Sequence, residues 1–374
     1  MTVEDIEVIV LPIERPEPVK PIPTTDAEGN EVLVFPEIEY DKMSIGAGFG
    51  PWKFQPVHES MTIAALIASD MKLDPSMNYE KAITGYHKDI LEILRGIIWN
   101  DDPANELFND NWFFRNDNFN RGIGKDWAML FADGKYLGMD CTKDGFIGRR
   151  NIIARSHFGD LQFLHSMANN PGESPHDTQK RVLTWIEVMY KVAIGHFSKD
   201  TKLRDVELPR NSDFERYPLR QLFTNSTWPS ESASIHTLLT SDTWYNDVKH
   251  SYRAIGSCMH VIQDSYARGH CHRRPTHEGT PKHFGEVINF HSYKGQDSHR
   301  HAEFDFGKVD MGSVNCSDLS QFQNMDGCTD AIRQCTTLIN FWLKRTPWES
   351  IEGWLRDEVF RVAHDASVSN TEVN

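Results

Sequence analysis

Residues 259–274 read MHVIQDSYARGHCHRR, and three of their side chains can bind a metal at fixed offsets: His260, Asp264 and His270. The first two are four apart, so on a helix they project from one face, a turn from each other. A metal about 2 Å from both is then sterically natural. Gly269 is a helix stop, which puts His270 just past the end, in reach of the same ion or a neighbouring one. A helix with a surface histidine and an Asp264–Arg268 pair accounts for these residues equally well, so the rest of the chain has to decide.

Outward from this stretch, helical periodicity dominates. Residues 57–70 and 78–99 repeat apolar positions at helical spacing, the second through Ile83, Tyr86, Ile90, Leu94, Ile97 and Ile98. Residues 176–197 do so through Val182, Trp185, Ile186, Met189 and Val192. Ser241-Asp242 predicts a cap for a helix running to about 268, and further helices are predicted over 326–345 and 347–365. The expected fold class is mainly α, in a single domain over residues 51–374. Stretches rich in Gly, Asn, Asp and Pro at about 101–155 and 199–240 read as long loop insertions. Residues 1–50 read as an extended Pro-rich arm, because Pro12, Pro16, Pro18, Pro21 and Pro23 exclude a helix. Within it DAEGN (26–30) is turn chemistry, and EVLVF after it suits a short strand.

The net charge of −15 argues against a general binder of nucleic-acid backbones. No run of 18 or more apolar residues is present, so no transmembrane segment is expected. The start, MTVEDIEVIVLPIERPE, lacks a basic segment and an apolar core of signal-peptide length. The expectation is synthesis in the cytoplasm, with any export leaderless or through a dedicated machine. The six cysteines have no C-x-x-C spacing, and Cys328 and Cys335 read as a core stripe. Histidine is the unusual count: of 17, nine lie between 250 and 301. Such crowding signals a metal site.

More candidate ligands stand elsewhere. SHRHAEFD holds two i, i+4 pairs, His299 with Glu303 and His301 with Asp305. RSHFGDLQFLH offers His157 with Asp160, GIIWNDDP ends a helix with Asp101 and Asp102, and VHESMT opens one with His58. Taken in chain order, these residues resemble the zinc-dependent phospholipase C and single-strand-specific nuclease superfamily. Its pattern is His, Asp after a helix, His, H-x-x-x-D-x-x-x-x-x-H, then His-x-x-x-Glu or His-x-x-x-Asp. His260, Asp264 and His270 match the triplet without a gap. SHF (156–158) resembles the string around the third ligand in the phospholipases. W-x-D (99–101) resembles that around the second in the nucleases, which favours Asp101 over Asp102. HFGDLQFLH and HVIQDSYARGH look closest to a bacterial branch of zinc metallophospholipases C acting on phosphatidylcholine. The resemblance spans roughly residues 52–310.

The resemblance implies a helical zinc hydrolase with two or three Zn2+. One ion would be held by Asp101, His157, His260 and Asp264. A second would be held by His270 and the final pair, and a third by His58 with Asp264 bridging. Of the final pairs, His301/Asp305 is favoured because Phe304 and Phe306 flank the aspartate, with His299/Glu303 the alternative. Asp101 or Asp264 would orient the attacking water or take its proton. Asp160 is read as orienting His157 or Arg155 rather than as a ligand. The family's third zinc also uses an N-terminal Trp. Here Trp52 precedes His58 by six residues but follows about fifty others, so the arm is removed, or the ion is held differently, or it is weak. His165 is expected to be a core histidine or to support a ligand, and His87 to be structural. His272, His277 and His283 are expected in loops or behind ligands. Trp127, Phe131, Tyr136, Trp228 and Trp244 suit a lipid or base pocket, or the core.

The leading expectation is a phospholipase C that splits phosphatidylcholine-like lipids at a membrane surface into diacylglycerol and phosphocholine. The alternatives are a single-strand nuclease on the same metals, which needs aromatic platforms, and a non-catalytic helical protein with a closed structural zinc.

Overall fold

A computed structural model describes residues 56–101, 155–157, 159–206, 219, 232–240, 247–276, 282–293, 296, 301, 311–323 and 325–372, and the backbone of six short strands outside them. Those strands form three antiparallel pairs: β1 (Ile22–Thr25) with β2 (Glu31–Val34), β3 (Phe49–Gly50) with β4 (Lys53–Phe54), and β5 (Lys135–Tyr136) with β6 (Met139–Asp140). The first pair places EVLV of the expected EVLVF strand, and DAEGN lies outside the described residues. Most of the two expected insertions, and the Ser241-Asp242 cap, lie outside the described residues.

The rest is predominantly helical. α1 (Val57–Ala68), α2 (Tyr79–Thr84) and α3 (Lys88–Trp99) precede α4 (Pro175–Ala193), a short α5 (Ile235–Leu239) and α6 (His250–Tyr266). α7 (Cys328–Leu343) and α8 (Trp348–Trp354) close the chain, α8 running on into a π turn at Leu355–Val359. The single helix predicted over 78–99 is two. Tyr86 takes a left-handed φ of 49°, and the His87 amide donates back to the Ala82 carbonyl, ending α2. The helix expected from 242 starts at His250, and the one expected to 365 leaves helical geometry at Phe360, where the chain turns to pair with a strand. That strand belongs to an antiparallel hairpin, β7 (Cys271–Pro275) and β8 (Phe284–Phe290), inside the histidine-rich stretch expected to be loop. Among the described residues no helix is long and apolar enough to cross a membrane.

α6 is the axis. It is buried on all sides from Arg253 to Tyr266, as a helix is when neighbours surround it. α3, α4 and α7 pack against it, and α1 packs on α7 and α3. At the α3–α6 crossing the backbones nearly touch. A Cβ on Gly96 would lie 2.1 Å from the Arg253 carbonyl oxygen, and one on Gly256 2.3 Å from that of Ile93. The same crossing buries an ion pair, Arg253 Nε to Glu92 Oε2 at 2.7 Å, and Arg253 also donates to the Leu239 carbonyl. The five described cysteines are buried, Cys335 and Cys328 on the core side of α7.

α5 meets the start of α6 through two histidines, His236 Nδ1 to His250 Nε2 at 2.8 Å. Burial, and then the charge of His236, pull His250 down to about 4. Between that value and the ordinary 6.5 the unfolded chain binds a proton that the folded chain refuses, so stability rises with pH there. The expected result is a melting temperature that falls on acidification from pH 7 to 4. His250→Asn flattens that part of the slope when both proteins are melted in chelator across the range.

Candidate metal centre

The centre is built by the end of α3, the N-terminus of α1, the middle of α6 and the hairpin. Asp101 stands two residues past α3. Its neighbour Asn100 donates to the Leu164 carbonyl at 2.7 Å and accepts from Ser257 on α6 at 2.6 Å, which ties three segments together beside it. His58 opens α1. His260 and Asp264 share a face of α6, as their spacing requires. His157 ends a helical turn at 155–157, and His165 ends a 3-10 turn at Gln162–His165. Ser166 follows in left-handed geometry, and its hydroxyl caps the Val261 carbonyl at 2.6 Å, which presses the turn onto α6.

The Asp264 carboxylate, 1 % exposed, is ringed by four imidazoles. His260 Nε2 is 2.8 Å from Oδ2, His165 Nδ1 3.0 Å, His270 Nδ1 3.6 Å, and His58 Nε2 is 3.2 Å from Oδ1. His260 and His165 present ring nitrogens to each other at 3.1 Å. Asp101 Oδ1 is 3.8 Å from His165 Nδ1 and 3.9 Å from His260 Nε2. Two sets of donor atoms each lie within 4.8 Å: His58, His260 and Asp264, and Asp101, His157 and His165. On the far side His301 packs on His270 at 4.8 Å between ring centroids. Gly269 makes room for it, since a Cβ there would meet His301 Nδ1 at 2.7 Å.

The donors suit a metal in tautomer as well as position. His58 Nδ1 lies 2.7 Å from Gln263 Oε1, and Gln263 Nε2 donates to Thr62, so that oxygen is an acceptor and Nδ1 carries the proton. His301 Nδ1 meets Gln296 Oε1 at 2.9 Å in the same way, with Gln296 Nε2 on the Gly269 carbonyl. His270 Nδ1 donates to the His165 carbonyl at 2.8 Å. In all three rings Nε2 is therefore the nitrogen that could bind an ion, the arrangement that supporting oxygens impose on histidine ligands.

The electrostatics agree. Burial raises Asp264, but the surrounding His260, His270 and His58 outweigh it and hold the carboxylate well below its usual range. Burial pulls His260 down to about 3, so it is neutral, and burial lowers His165 too. Burial also lowers His58, but Asp264 and then Asp101 overcome it and lift the ring to about 10, where a proton on Nε2 occupies the place of a cation. Burial pushes Asp101 well up, with Asp264 and the buried Glu59 adding to the effect.

His58, Asp101, His157, His260, Asp264, His270 and His301 are therefore brought together. Asp305, His299, Glu303 and Trp52 lie outside the described residues, as do Asp102, Trp127, Phe131, Trp228 and Trp244, and of Tyr136 only the backbone, in β5, is described. Asp160 grips Arg155, Nε to Oδ1 at 2.6 Å and a second bond at 2.8 Å, while His157 Nδ1 pairs with Ser156 Oγ. Two residues take a more direct part than the sequence indicates. His165, expected as core or support, presents Nδ1 to both carboxylates. Tyr293, just beyond β8, places its ring among His157, His165, His270 and His301. His272 sits on β7 rather than in a loop, and His283 pairs with Asp330 at 2.9 Å. Comparison of the chain with protein-family models, with curated proteins and with solved structures gives no match in any of the three.

Proposed function

We propose that this chain is a zinc-dependent phosphodiester hydrolase, a phospholipase C that cleaves phosphatidylcholine-like lipids at the glycerol–phosphate bond. The observation that carries the reading is the buried Asp264 carboxylate inside a ring of histidines whose Nδ1–H groups, on His58 and His270, are already spent on oxygen acceptors. Nitrogen and carboxylate donors without thiolate suit zinc. Their number exceeds the four that a closed structural ion needs, which favours a multinuclear, reactive centre over a structural one.

Bound zinc would polarise a phosphoryl oxygen and activate a water. The chain's own residues set the stage for that. His58, His260 and Asp264 would hold one ion, and Asp101, His157 and His165 another. His270 and His301 extend the donor wall toward the hairpin. Asp264 lies between the two sets. Asp101, the carboxylate whose proton affinity burial raises, is placed to orient the attacking water or accept its proton.

The net charge of −15 weighs against a polyanion as the preferred substrate. The test is to give the zinc-loaded chain phosphatidylcholine vesicles and single-stranded DNA side by side. Release of phosphocholine and diacylglycerol is expected. DNA cleavage without lipid hydrolysis would move the function to the nuclease alternative, and neither activity would overturn the reading.

A further inference from the structure

Glu59 follows His58 in the first turn of α1 and is 1 % exposed, yet neither of its carboxylate oxygens has a hydrogen-bond partner. The other two glutamates buried as deeply among the described residues each hold a cation. Glu92 Oε2 takes Arg253 Nε at 2.7 Å, and Glu187 Oε1 takes Lys191 Nζ at 2.6 Å. A buried carboxylate is ordinarily paired, hydrogen-bonded or bound to a metal. Glu59 has neither of the first two among the described residues.

The helix does not account for this acid. A glutamate at the third position of a helix commonly reaches back to the amide of the capping residue. The capping residue of α1 is Pro56, which has no N–H to offer. Nor is the side chain free to turn to solvent. His58 and Thr62 both engage Gln263, and Ser60 donates to the Met311 carbonyl at 2.6 Å, which fixes the roll of the first turn. Ile63 and Leu66, which follow Glu59 on its face of the helix, are fully buried, so the carboxyl is set into the interior. The metal centre lies within its electrostatic reach. Burial is the largest influence raising both Glu59 and Asp101, and beyond it the charge of His58 acts on Glu59 and that of Glu59 on Asp101.

Resting on the zinc-centre reading, we propose that Glu59 is a positioning residue of that centre, the buried counter-charge that helps His58 and Asp101 hold their ions. Two divalent ions bring four positive charges, and ligating histidines are neutral. Asp101 and Asp264 cancel two of those charges. The remainder stands in an interior where uncompensated charge is costly, and one further carboxylate reduces it. Attraction between buried charges is weakly screened, so Glu59 acts without a direct bond to an ion. In the metal-free chain the same carboxylate is only a cost to the fold.

The test compares wild type with Glu59→Gln, which keeps the shape and removes the charge, and with Glu59→Asp, which keeps the charge. All three are full-length. Zinc affinity is measured by competition with a chromophoric chelator, and melting temperature in excess EDTA, at mildly alkaline pH. Glu59→Gln is expected to bind zinc about 10–100-fold more weakly, with Glu59→Asp recovering most of that loss. In EDTA, Glu59→Gln is expected to melt no lower than wild type, because it removes a buried charge that lacks a partner. A purely structural glutamate gives the opposite pair of results. Wild-type zinc affinity in Glu59→Gln would overturn the proposal, as would a Glu59→Asp chain that binds zinc no better than Glu59→Gln. A clear drop in melting temperature in EDTA would assign Glu59 to the fold instead. A wild-type chain that takes up no zinc would bring down the zinc centre itself, an outcome distinct from an unchanged variant.

Discussion

Asp264→Asn is expected to cost the chain its bound zinc and to lower phosphodiester hydrolysis by at least about a thousandfold. The substitution keeps size and shape. It removes the one charge around which His58, His165, His260 and His270 are gathered. Removing one partner from a buried charged set leaves the others uncompensated. His58, now lifted to about 10 mainly by that carboxylate against the pull of burial, should lose much of that elevation. Zinc content by elemental analysis, activity on phosphatidylcholine vesicles and circular dichroism are measured together. A folded Asp264→Asn variant that keeps its zinc and its activity would place the reactive centre elsewhere.

The second large effect is structural. Gly96→Ala and Gly256→Ala should each destabilise the fold by about 3 kcal/mol, because a methyl would meet a backbone carbonyl of the opposite helix at 2.1 or 2.3 Å. No side chain can swing aside there, so α3 and α6 must separate. That moves Asp101, at the end of one helix, away from His260 and Asp264 on the other. For a chain of this size the expected loss is about 4 °C in melting temperature. Gly353→Ala on α8 is the control: a Cβ there comes no closer than 4.0 Å to another atom, and better helix propensity predicts no loss. Equal melting temperatures for Gly96→Ala and wild type would show that the crossing is looser than described.

These residues also mark how far the sequence can be read. The i, i+4 relation of His260 and Asp264 is local, so helical periodicity alone places both side chains on one face. His58, Asp101, His157 and His270 converge from distant segments, and only their order along the chain links them. His165 escapes because its role is non-local. It sits eight residues from His157 with no ligand at helical spacing between, and a 3-10 turn and a left-handed Ser166 aim it at α6. The mainly helical class is legible from apolar spacing. The break at Tyr86 is not, because the apolar pattern continues across it while the backbone reverses. The β7–β8 hairpin is hidden by the polar composition of β7, CHRRP. It is held by the C-terminal segment, through the Val287 amide on the Arg361 carbonyl and the Ser292 amide on that of Asn370, partners about 75 residues away in sequence.

The central claim is that the histidine and aspartate cluster around Asp264 is a multinuclear zinc centre. X-ray absorption at the zinc edge, with elemental analysis of the same sample, tests it most directly. The account predicts about two to three zinc ions per chain, a first shell of nitrogen and oxygen only, and a metal–metal distance of about 3.5–4 Å. A chain that binds no zinc, or a single ion in a sulfur shell, would contradict it.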